Sequence, residues 1–132
     1  MGAWAADSFS NDEALDWLLD FAETPTLEML HDTLEFIVSA DAEDLEAPDC
    51  AEAIAAAEIV AALNGKPAAK IPDDLQTWLQ TPHGLHARPL SGLARAAMQS
   101  IEKGSELQDL WDDSEFKLQW HAEMTDLIAR LT

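Results

Sequence analysis

The sequence predicts an all-α fold, a single compact bundle of about five to seven helices occupying residues 1–132. Three observations lead there. Apolar residues recur at three- and four-residue spacing in one segment after another, as a buried helical face requires. The breaks between those segments carry helix-start and helix-stop residues. No segment sustains a period-two alternation with β-branched residues, and Tyr is absent, so no convincing strand is found.

Taken in order, Ser10-Asn11-Asp12-Glu13 has the form of a capping box, with Ser10 as N-cap and Glu13 reaching back. The helix it starts runs to about Ala22, with Leu15, Leu18, Leu19 and Phe21 supplying apolar faces. Thr24-Pro25 restarts a helix, since proline suits a first helical turn. Leu27, Leu30, Leu34 and Ile37 then recur at helical spacing, along with Phe36 and Val38. Residues 39–47 form an acidic connection, and Pro48 opens the most apolar helix, through Ile54, Ile59, Val60 and Leu63. Asn64-Gly65 and Pro67 stop it. Alanine on nearly every side allows close approach by neighbours, which predicts a central position for this helix. A short helix is expected over residues 72–80, a loop over 81–89, and an amphipathic helix from Leu90 to Ile101 stopped by Lys103-Gly104. Ser105 caps a turn through Leu107, Leu110 and Trp111. The last helix covers roughly residues 114–131, with Phe116, Trp120, Met124, Leu127, Ile128 and Leu131 inward.

Composition limits the class of function. Nearly half the residues are apolar and five are Trp, which is core material rather than a disordered acidic chain. Nothing at the N-terminus has the form of a signal peptide. Ala6 stands where a myristoylated Gly2 would call for Ser or Thr. The apolar stretch 53–63 is too short to span a bilayer and is interrupted by Glu58. A single cysteine, Cys50, allows no intrachain disulfide. These features predict a cytoplasmic protein with no membrane association and a small buried thiol.

Charge is the loudest feature. Twenty-six acids face seven bases, a net charge of −19. Residues 1–65 hold sixteen of the acids and no Lys or Arg; the other ten acids and all seven bases follow from Lys66 onward. Such a field repels nucleic acid and anionic membrane and steers cationic partners toward the first half.

Several motifs spread along the chain carry a family resemblance. They are Met1-Gly2-Ala3-Trp4 followed by Phe9-x-Asn11-Asp12-x-Ala14-x-Asp16-Trp17, then the run Ala55 to Ala62 with Gly65-x-Pro67. Leu75-x-x-Trp78, Ser105-Glu106-Leu107-x-x-Leu110-Trp111, and Trp120 ahead of Arg130-Leu131 complete the set. In these the chain resembles an uncharacterised bacterial family, domain of unknown function 4259. Ala5 stands where that opening otherwise has glycine, which removes glycine's backbone freedom there. The resemblance implies a compact bacterial protein and brings no assigned activity.

Two kinds of residue carry candidate chemistry. Asp12, Asp16 and Asp20 recur every fourth residue and form a stripe on the first helix, where like charges at that spacing repel. Asp41, Asp44, Glu46 and Asp49, together with Glu43 and Glu52, make a denser second cluster. Both clusters are candidates for receiving a basic protein, as an immunity protein or inhibitor does; the plainer reading is solvated surface. Glu58, in the middle of the alanine-rich helix, is the candidate pocket residue. A carboxylate there is costly unless paired or protonated, and the competing reading is a structural pair with Arg95, Arg88 or a Trp indole.

Other chemistries lack their partners. The stretch from Asp41 lacks the glycine and the spacing of a calcium loop. Glu28-x-x-His31 is half of a di-iron carboxylate motif without its second half. His83-x-x-His86 has no Cys or clear acidic ligand beside it, and Ser91-Gly92 is not a nucleophile elbow. No phosphate loop or dinucleotide fingerprint occurs. No metal or cofactor is therefore expected, and nothing supports catalysis positively. The expected function is a non-enzymatic acidic protein that docks a cationic protein partner. One alternative is an enzyme or small-molecule binder with an interhelical pocket around Glu58. The other is self-association through the less charged C-terminal half, around Trp111 and Trp120.

Overall fold

A computed structural model describes residues 12–23, 26–64 and 90–131, and within them the chain is all-α with no strand. Six α-helices are present there: α1 (Asp12–Glu23), α2 (Leu27–Ser39), α3 (Ala47–Leu63), α4 (Leu90–Lys103), α5 (Glu106–Asp112) and α6 (Lys117–Arg130), with one 3-10 turn at Ala42–Asp44. The capping box at Ser10, the helix expected over 72–80 and the loop over 81–89 lie outside the described residues.

Helix α3 is the centre of the bundle, as its alanines predict. It packs against α1, α2, α4, α5 and α6, and twelve of its 17 residues are buried. Alanine leaves neighbouring backbones free to approach on several sides at once, so one helix can serve five partners. Each partner offers a narrower stripe. On α1 the buried residues are Ala14, Trp17, Leu18 and Phe21, an i, i+3, i+4, i+7 set. Leu15 and Leu19, expected to share that duty, are instead exposed, because the stripe that meets α3 runs through Trp17. Helix α2 buries Leu30, Leu34 and Ile37 while Phe36 and Val38 face outward. Helix α4 buries Leu90, Ala94, Ala97, Met98 and Ile101.

The helix ends follow local chemistry. Thr26, rather than Thr24, caps α2: its hydroxyl accepts from the Met29 N–H at 3.1 Å. Pro48 sits in the first turn of α3, where its missing N–H costs nothing. That turn has no side-chain cap of its own from Glu46. A distant residue supplies the acceptor, since the Ala47 N–H donates to Glu106 Oε1 at 2.9 Å while the Glu106 N–H donates to the Leu45 carbonyl at 2.9 Å. Asn64 closes α3, and its side-chain amide donates to Ser91 Oγ, holding the end of α3 against the start of α4.

Ser105 is buried between α4 and α5. Its hydroxyl donates to the Ile101 carbonyl at 2.9 Å and accepts from the Gln108 N–H at 3.0 Å. The last helix starts at Lys117, three residues later than expected. Ser114 is taken up in the turn before it, donating to the Trp111 carbonyl at 2.7 Å and accepting from the Phe116 N–H at 3.1 Å. Phe116, expected inward, is therefore an exposed N-cap. Trp111 and Trp120 are buried with rings stacked at 6.5 Å, so these two indoles are core rather than surface.

Candidate functional site

Three places gather the candidate residues: a buried ion pair, a polar cluster among the last helices, and an acidic cleft beside α1.

Glu58 is completely buried in α3 and is paired. Arg130, at the last turn of α6, donates from Nη2 to Glu58 Oε1 at 2.8 Å and from Nη1 to Glu58 Oε2 at 2.9 Å. This is a two-pronged guanidinium–carboxylate fork, the strong form of the interaction. Arg130 Nε donates to Asp126 Oδ2 at 2.8 Å on the same helix. The hydrogen bond to Glu58 raises the Arg130 pKa, against the opposing effect of burial, so the guanidinium stays charged. Of the partners weighed from sequence, Arg88 lies outside the described residues, and the fork comes from a base 72 positions away. The cavity described below is not lined by Glu58. The geometry is that of a staple between α3 and α6.

The polar cluster was not legible in sequence. His121 of α6 lies with Nε2 at 2.8 Å from Asp112 Oδ1 at the end of α5, and Nδ1 at 3.9 Å from Glu102 Oε2 on α4. Gln108 donates to the other Asp112 oxygen, and the His121 ring meets Trp120 edge-on at 4.9 Å. The cluster ties three helix ends together. Among the described residues, however, no three His, Cys, Asp or Glu side chains could hold a metal ion. Cys50 is equally unavailable as a nucleophile. Burial pushes its thiol up from 9.0 to about 11, with its hydrogen-bonding contact to Ser105 opposing the shift, so it stays protonated at neutral pH. His31 is exposed and meets only its neighbour Asp32, at 3.3 Å, among the described residues. His83 and His86 fall outside them.

The acidic candidates are surface residues. Asp16, Asp20, Asp41, Asp44 and Glu46 are exposed, and Asp49 is half-buried; the side chain of Asp12, at the start of α1, is outside the described set. Among the described residues, the ion pairs involve none of Asp16, Asp20, Asp41, Asp44, Glu46 and Asp49. Asp49 and Glu52 of the second cluster line a cavity of about 230 Å³ together with Trp17, Thr33 and Phe36. Asp16 and Asp20 flank Trp17 along α1, one residue before it and three after it.

One wall of that cleft is fixed. The Trp17 Nε1–H donates to Thr33 Oγ1 at 3.2 Å, Thr33 donates to the Met29 carbonyl at 2.8 Å, and Trp17 stacks on Phe21 at 5.2 Å. Sequence reasoning found the acids but missed Trp17, Thr33 and Phe36 as their companions, because contacts among three helices leave no spacing signal.

No described helix is long and apolar enough to cross a membrane. Comparison with curated proteins and with solved structures finds no match. The model of the family described as domain of unknown function DUF4259 matches residues 2–123, and the chain belongs to that family.

Proposed function

We propose that this protein is a non-enzymatic acidic interaction module, acting in the bacterial cytoplasm, whose N-terminal half docks a basic protein. The observation that carries this reading is the charge distribution: residues 1–65 hold sixteen acids and no Lys or Arg. Exposed acids at Asp16, Asp20, Asp41, Asp44 and Glu46 have no ion-pair partner among the described residues. A field of one sign raises association rates with oppositely charged partners and disfavours nucleic acid. The burial and pairing of Glu58 in the fork with Arg130 weigh against a reaction centre at that residue. The single buried cysteine suits a reducing compartment.

The test is affinity capture from a lysate of the source organism with the wild type and two charge-reversed proteins, Asp16→Lys/Asp20→Lys and Asp44→Lys/Glu46→Lys. A basic protein retained by the wild type, released by salt and lost on either reversal is the expected result. Retention indifferent to both salt and reversal overturns the reading.

A further inference from the structure

The cleft between α1, α2 and α3 has features that the charged surface around it lacks, and they narrow what it takes. Its volume of about 230 Å³ falls below the roughly 300–1,000 Å³ of sites that enclose a whole small molecule. It suits the head of a single side chain. Two aromatic residues line it: Trp17, almost fully buried and held by Thr33 and Phe21, and Phe36, which is 53% exposed one turn beyond Thr33. Two carboxylates, Asp49 and Glu52, line it as well. Aromatic faces attract cations through the ring quadrupole, and carboxylates add charge complementarity.

Between the two cationic side chains, this lining favours arginine. A guanidinium is planar, stacks on an aromatic face and meets a carboxylate with two parallel N–H donors, whereas an ammonium is a compact, strongly hydrated point charge. Arginine is also among the residues that dominate binding energy when seated in a desolvated pocket at the centre of an interface. Phe36 is a half-exposed ring with no core role evident on α2, whose buried residues are Leu30, Leu34 and Ile37.

We infer that the Trp17–Phe36–Asp49–Glu52 cleft is the anchor of the docking face and receives an arginine side chain of the basic partner. This rests on the proposed docking function and adds the chemistry of its central contact.

The experiment uses two capped peptides of equal charge, octa-arginine and octa-lysine, titrated against the full chain by calorimetry at low and moderate salt. The proteins compared are the wild type, Phe36→Ala and Asp49→Asn, each first checked for an unchanged helical spectrum and melting transition. The inference expects both peptides to bind the wild type in a salt-dependent way, with octa-arginine about tenfold tighter. Phe36→Ala should abolish that preference while leaving octa-lysine affinity within about twofold, and Asp49→Asn should reduce it. Equal, salt-dependent binding of both peptides overturns the arginine anchor and leaves the docking function standing. An arginine preference that survives Phe36→Ala also overturns the anchor, since the selectivity then lies elsewhere. Absence of salt-dependent binding by either peptide overturns both.

Discussion

Arg130 contributes three nitrogens to two carboxylates, and the two contacts are unequal. Asp126 is largely exposed, so its hydrogen bond with Nε is worth little more than a surface helix pair. The Glu58 carboxylate is only 1% exposed, and the Arg130 side chain beside it is 14% exposed. Taking a carboxylate out of water costs several kcal/mol, offset here by the fork that meets both of its oxygens. The physical consequence is an asymmetry between single and double replacement. Arg130→Met removes the fork while leaving a buried acid, and is expected to cost about 3–5 kcal/mol. Glu58→Met/Arg130→Met replaces both members by flexible apolar side chains and is expected to recover most of that loss. Urea unfolding of the single and double variants measures both. A double variant as unstable as Arg130→Met would show that the pair's effect lies in packing rather than charge compensation. Asp126→Ala, the control, should shift stability by less than about 1 kcal/mol.

Helix boundaries were largely readable because their signals are local. Asn64 ends α3, Pro48 sits in its first turn and Ser105 caps α5, each through chemistry contained within a few residues. The errors arose where two local signals competed. Thr24-Pro25 and Thr26 both suit a helix start, and the hydroxyl that reaches Met29 is that of Thr26. Ser114 reads as a helix start but serves the turn between α5 and α6. Contacts between distant segments left no trace in spacing. The Glu58–Arg130 fork joins residues 72 apart, and Glu106 serves an N–H 59 residues earlier. The cleft is assembled from three helices, so its acids were visible and its aromatic lining was not.

The α4–α5 corner is where local and distant chemistry coincide, which makes Ser105 the most sensitive cap. Ser105→Ala removes the acceptor for Gln108 N–H and the donor to the Ile101 carbonyl in a buried setting. It is expected to cost about 1–2 kcal/mol, the upper part of the range for caps. Thr26→Ala, at an exposed cap, should cost about 0.5–1 kcal/mol. Chemical denaturation ranks the two; a Thr26 effect equal to or larger than that of Ser105 would contradict the weight given to burial.

At the scale of the whole molecule, the net charge of −19 acts against the fold that carries it. Apolar burial around α3 holds the bundle together, while like charges on its surface repel. Asp16 and Asp20 illustrate the conflict: both are exposed, they stand four apart on α1, and no described ion pair relieves them. Such a pair destabilises a helix by about 0.2–0.5 kcal/mol, an effect that salt screens over a Debye length of about 10 Å at 0.1 M. The melting temperature of the wild type should therefore rise as sodium chloride is raised from about 0.01 to 0.5 M. Asp16→Asn/Asp20→Asn should melt higher than the wild type at low salt, and the gap should narrow as salt increases. The buried Glu58–Arg130 fork is shielded from mobile ions, so Arg130→Met should lose nearly the same stability at both salt concentrations. If the Asp16/Asp20 variant were no more stable at low salt, the acids would carry no cost to the fold and need no function to account for them. If it were more stable and also lost affinity for octa-arginine, the same two carboxylates would be set against folding and in favour of docking. That is the trade-off expected of surface charge retained for binding.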